Sequence, residues 1–130
     1  MQDQFTLVVD NVAERQHKVV DILKYLRKKQ PELPEPKAFE LPGDAIAFSS
    51  AHDCPVVFTA IPLSGTNSFA MIEQIRSQNS HTNFILLAYQ KEYIVQALMM
   101  KLRPSGSIMG MPDVEAIRNE LDNLWYPLPS

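Results

Sequence analysis

The stretch FTLVVD at residues 5–10, followed at once by NVAERQHKVVDILKYL at residues 11–26, decides the fold. Phe5 to Asp10 is short, β-branched and continuous, the pattern of a strand buried on both faces. From Asn11 the period changes. Val12, Val19, Leu23 and Leu26 fall on one helical face, and Glu14, Arg15, Lys18 and Lys28 fall outside it. Asp10 or Asn11 stands where a helix is capped by a side-chain oxygen. A doubly buried strand that feeds an amphipathic helix is the repeating unit of a parallel sheet.

Outward from that stretch the alternation repeats. Pro31, Pro34 and Pro36 end the first helix, because proline cannot continue one. Lys37 to Leu41 predicts a weak second strand, and Pro42 to Ala51 a short helix. Pro55 to Ala60 is the third strand, followed by a helix from about Asn67 with Phe69, Ile72 and Ile75 on one face. Asn83 to Ala88 is the fourth strand, and Lys91 to Leu102 a helix with Ile94, Leu98 and Leu102 on one side. Ser107 to Met109 is a brief fifth strand. Pro112 opens the last helix, with Asp113 and Glu115 in its first turn and Val114, Ile117, Leu121 and Leu124 as its stripe.

Five strand-helix units predict an α/β, flavodoxin-like (βα)5 three-layer sandwich with a five-stranded parallel sheet in the order 2-1-3-4-5. Residues 1–125 form the domain, and residues 126–130, with alternate prolines, read as a tail or the start of a linker. In such sheets a site forms at the carboxyl ends of the strands where the order reverses. Those ends are Asp10-Asn11 and Ala60-Ile61.

Composition narrows the chemistry. The net charge of −3 argues against a phosphate-binding surface made by bulk charge. Cys54 is the only cysteine, so neither a disulfide framework nor a cysteine-built metal site is available. Cys54 itself reads as a structural thiol. No apolar run approaches the roughly 20 residues of a membrane span, and no secretory signal opens the chain, so a cytoplasmic location is expected. Gly43, Gly65, Gly106 and Gly110 make no phosphate loop. His17, His52 and His81 are scattered and meet no carboxylate at ligand spacing. No nucleophile-base pair supports an enzyme.

Four local patterns carry a resemblance. Val8-Val9-Asp10-Asn11 resembles an apolar strand that ends in an acidic pair. The run from Val57 to Gly65, through Ala60-Ile61-Pro62, resembles a strand that ends in a phosphoryl-accepting aspartate with the loop after it. Leu86-Leu87-Ala88 resembles a hydroxyl-alanine strand end, and Arg103 to Gly110 resembles the segment that ends in an invariant-type lysine. The family with these patterns in this order is the response-regulator receiver domain, the CheY-like family. The register through Ala88 to Tyr93 is most similar to receivers of LytTR-type regulators.

The resemblance implies a pocket whose chemistry this chain has lost. Its acidic pair falls on Asp10 and Asn11, its acceptor on Ala60, its hydroxyl on Leu87, its lysine on Gly110 and its aromatic switch on Ser107. Met111 stands where a cis proline would follow the lysine. Mg2+ wants oxygen ligands, and two of three carboxylates are gone, so Mg2+ binding is expected to be lost or weak and no cofactor is expected. No Asp or Glu occurs between Asp53 and Glu73 to supply a substitute. The implied function is a two-component signalling module that is not phosphorylated. It works as a homodimer, or by contact with a protein partner or output domain, with no direct nucleic-acid or membrane contact. The contact face falls on the last two helices and the fifth strand, with Tyr93, Met99, Met100, Ser107 and Trp125 as candidates. The alternative is a small-ligand sensor that uses the vacated pocket with Asp10 as anchor.

Overall fold

The computed structural model describes residues 3–63, 68–99 and 103–124. Along them run β1 (Gln4–Val9), α1 (Ala13–Lys29), β2 (Glu35–Phe39), α2 (Pro42–Ala51), β3 (Asp53–Ala60), α3 (Ser68–Gln78), β4 (Asn83–Ala88), α4 (Lys91–Met99), β5 (Gly106–Met109) and α5 (Val114–Asn123). All strand pairs are parallel and the order is β2-β1-β3-β4-β5, as the alternation predicts.

Successive residues of a strand face opposite sides of the sheet, so a strand covered on both sides must be apolar throughout. Leu7, Val9, Val57, Phe84 and Leu86 pack toward Ala45 of α2 and Met71, Ile72 and Ile75 of α3. Val8, Val56, Phe58, Ile85 and Leu87 pack toward Val19, Leu23 and Leu26 of α1 and Ile117 and Leu121 of α5. Phe58 is fully buried, and truncating a phenylalanine so placed costs about 3–5 kcal/mol.

The edge strand β2 departs from expectation. It lies at Glu35–Phe39 rather than at Lys37–Leu41 and includes Pro36. The backbone N–H of Asp10 donates to the Phe39 carbonyl (3.0 Å), so the peptide groups of Phe39, Lys37 and Glu35 face β1. Those of Pro36 and Ala38 face outward, where a missing N–H breaks no ladder bond and makes the edge a poor template for another strand.

Helix boundaries also shift. α1 has Val12 as its N-cap residue without a side-chain cap, so neither Asp10 nor Asn11 caps it. Val12, expected on the buried stripe, is exposed, and Arg15, expected outside, is buried. Asp113 caps α5 instead of lying within its first turn, and its carboxylate accepts from the Ala116 N–H (2.8 Å). Leu98, expected on the inner side of α4, is 58% exposed. Leu102, Met100, Trp125 and the predicted tail lie outside the described residues.

Candidate functional site

β1 delivers Asp10 to the carboxyl end of the sheet with no solvent exposure. Its side chain is fully engaged. Arg15 Nε donates to Asp10 Oδ2, Arg15 Nη2 donates to Asp10 Oδ1 (3.0 Å), and the backbone N–H of Val12 donates to the same Oδ1 (2.9 Å). Its backbone oxygen accepts from Gln16 Nε2 (2.9 Å), which also donates to the Phe39 carbonyl (3.1 Å) and so ties the ends of β1 and β2 together.

Arg15 and Gln16 reach these atoms because the first turn of α1 overhangs the strand ends. Burial pulls the Arg15 pKa down, but the hydrogen bonds and charge of Asp10 outweigh it and hold the guanidinium above its ordinary value. Tyr89, just beyond β4, lies with its ring 5.0 Å from Arg15 Cζ, at cation–π distance. The Tyr89 hydroxyl donates weakly to Met111 Sδ (3.9 Å). Asp10, Arg15, Tyr89 and Met111 therefore form one chain of contacts from the end of β1 to the segment after β5.

The positions expected to frame a pocket gather at this end, with different surroundings. Asn11 is half-buried beside Asp10. Ala60, fully buried, ends β3 and pairs in register with Leu87. The Leu87 side chain is buried in the layer beneath α1 and α5, with Phe58, Ile85 and Ile108. Gly110 follows β5, donates its N–H to the Ala88 carbonyl (2.9 Å) and has φ +79°. A lysine there would be strained, since L-residues rarely adopt that conformation. A cis peptide joins Ile61 to Pro62.

This donor set does not fit a divalent cation. Ala60 offers no oxygen, and both oxygens of Asp10 are held by a guanidinium inside the chain. No group of three or more His, Cys, Asp or Glu able to hold a metal occurs among the described residues. The pocket expected to stand vacant beside Asp10 has its anchor neutralised by Arg15, which removes the basis for a ligand held by a bare carboxylate. Arg15, Gln16 and Tyr89 were not legible as site residues from their spacing.

The candidate contact residues differ in exposure. Met99 is 78% exposed, whereas Tyr93 packs on the core layer beneath α3 and α4, and Ser107 is half-buried on β5. The large apolar side chains that do reach solvent there are Tyr89, Val95, Leu98, Met109, Met111 and Val114. No helix among the described residues is long and apolar enough to cross a membrane.

No family model matches the sequence. No curated protein matches it either. Solved structures do match. A CheY-like receiver domain from Methylobacillus flagellatus superposes with TM-score 0.78 at 16% identity, over 94% of this chain and 98% of that one. One from Methanospirillum hungatei JF-1 gives TM-score 0.77 at 14% identity, over 94% and 93%. The bacteriophytochrome response regulator RtBRR gives TM-score 0.79 at 11% identity, over 100% and 82%. At these identities the likeness is one of architecture, and the chain has the flavodoxin-like fold of response-regulator receiver domains.

Proposed function

We propose that this chain is a pseudo-receiver of two-component signalling, not phosphorylated at the β3 end, that acts by protein contact. One observation carries the reading: Arg15 holds Asp10 at the end of β1 while Ala60 ends β3. Aspartyl phosphorylation needs a carboxylate nucleophile and a cation that neutralises the phosphoryl charge. Here the nucleophile's place is a methyl group, and the aspartate is paired with a cation of the chain itself. The module therefore binds no Mg2+ at that end and holds one state.

Its contact surface is the face made by α4, β5 and the start of α5. Val95, Leu98, Met99 and Met109 supply apolar and thioether area that adapts to a partner. A second copy is the simplest partner, and an output domain of LytTR type is the other one we consider. Such a module works in the cytoplasm, and a chain of net charge −3 makes no direct nucleic-acid contact through bulk charge.

Sedimentation of the wild type and of Leu98→Asp tests the contact. The expected result is a wild-type dimer unchanged by acetyl phosphate and a folded, monomeric variant. A wild type that stays monomeric at high concentration, or dimerises only with the phosphodonor, contradicts the reading.

A further inference from the structure

At the opposite, amino-terminal end of the strands a polar cleft of about 560 Å3 opens between the end of α3, the start of β4 and the segment that leads into β5. Arg76, Ser80, His81, Asn83, Arg103 and Ser105 line it. No carboxylate lines it among the described residues. Arg76 by itself is accounted for as a cation in the last turn of α3, where the helix carbonyls favour positive charge. Arg103 is not, since it comes from the separate segment between α4 and β5.

The two arginines are held together. Arg76 Nη2 donates to the Arg103 carbonyl (2.6 Å), and Arg103 adopts the left-handed conformation with φ 49°, unusual for a residue with a side chain. The Arg76 guanidinium lies 5.1 Å from the centre of the Phe84 ring, which fixes its plane. Burial first, and the charge of Arg103 second, push the Arg76 pKa down. Beside them Ser105 Oγ donates to Asn83 Oδ1 (2.8 Å). That bond leaves the Asn83 amide turned as a donor, and its nitrogen lies 3.5 Å from the His81 carbonyl.

We propose that this cleft binds a phosphate group, either free inorganic phosphate or the terminal group of a phosphomonoester. A phosphate in this cleft meets side chains from two arginines, with no carboxylate in the lining among the described residues. Guanidinium forks match phosphate oxygens, and the surrounding hydroxyl and amide groups meet the rest. The site is separate from the Asp10 end of the sheet and does not depend on how that end is read.

The test is titration of 15N-labelled protein, at constant ionic strength, with inorganic phosphate and in parallel with glycerol phosphate. Saturable amide shifts at His81, Asn83 and Ser105 are expected. The exposed Arg103→Ala change is expected to weaken binding by about tenfold or more while leaving the melting temperature unchanged. Tighter binding of glycerol phosphate assigns the cleft to an ester, and equal binding assigns it to phosphate itself. Absence of saturable shifts at these residues, shifts centred on Asp10 and Arg15 instead, or undiminished binding by both Arg103→Ala and Ser105→Ala overturns the proposal.

Discussion

Arg15 grips both oxygens of the Asp10 carboxylate, and solvent reaches almost none of either side chain. The pair joins the first turn of α1 to the end of β1, and Tyr89 lies against its cationic half. A buried pair of this kind is costly to break, because removing one partner strands the other charge in the interior.

Arg15→Met is therefore expected to destabilise the fold by about 3–5 kcal/mol. The double variant Asp10→Leu with Arg15→Met, which strands no charge, should lose much less. Urea denaturation of the wild type, both single variants and the double variant gives the coupling energy. Losses that simply add would show that the two side chains do not act as a pair.

Restoring carboxylates alone does not restore a cation site. With Asn11→Asp and Ala60→Asp, Arg15 still competes for Asp10, and Mg2+ binding stays weak. Adding Arg15→Ala frees the carboxylates, and Mg2+ affinity should rise at least tenfold. Titration followed by amide shifts at residues 10 and 60 checks this. Equal affinity in the double and triple variants would show that the guanidinium does not block the cation.

Cys54 is buried and free, and burial, with the charge of Asp53, pushes its thiol up to about 12. The native protein should resist a thiol reagent at pH 8 and react fully in denaturant. The unfolded thiol ionises at its ordinary value near 9 while the folded one does not. The unfolded state thus binds fewer protons in that window, and stability falls as pH rises from about 9 toward 12. Cys54→Ala should flatten that limb of the stability curve.

Glu120 on α5 has its pKa raised by burial, against a hydrogen bond from the Ser107 N–H that favours the charged form. A carboxyl raised in the folded state stabilises the fold below its unfolded pKa. That contribution is lost as pH rises through the folded value. Glu120→Gln should remove this dependence, and stability measured from pH 4 to pH 7 tests it. Glu120 also overlies Gly106, where an added Cβ would come 2.0 Å from its carboxylate, so Gly106→Ala should displace it and give the same flattening.

The central strands were legible because their burial demands apolar runs, as at Leu7 to Val9 and Phe84 to Ala88. The edge strand β2 was misplaced because two of its five residues are charged and its proline sits harmlessly on the outward side. Leu98 was misread because α4 carries apolar residues on its solvent side as well as toward the core. That positions 60 and 110 carry neither a carboxylate nor an amine was readable from the residue types. The gain of Arg15 was not, because periodicity assigns every charged residue to the outside. An overhanging first helical turn can instead aim one at a strand end, and Asp10 gave the only hint, as a carboxylate in need of a partner.

The most direct test is intact-mass analysis of the wild type incubated with acetyl phosphate and Mg2+. The account predicts an unchanged mass and unchanged amide shifts at Asp10, Ala60 and Leu87. Addition of a phosphoryl group, or a response to beryllofluoride centred on those residues, would contradict it.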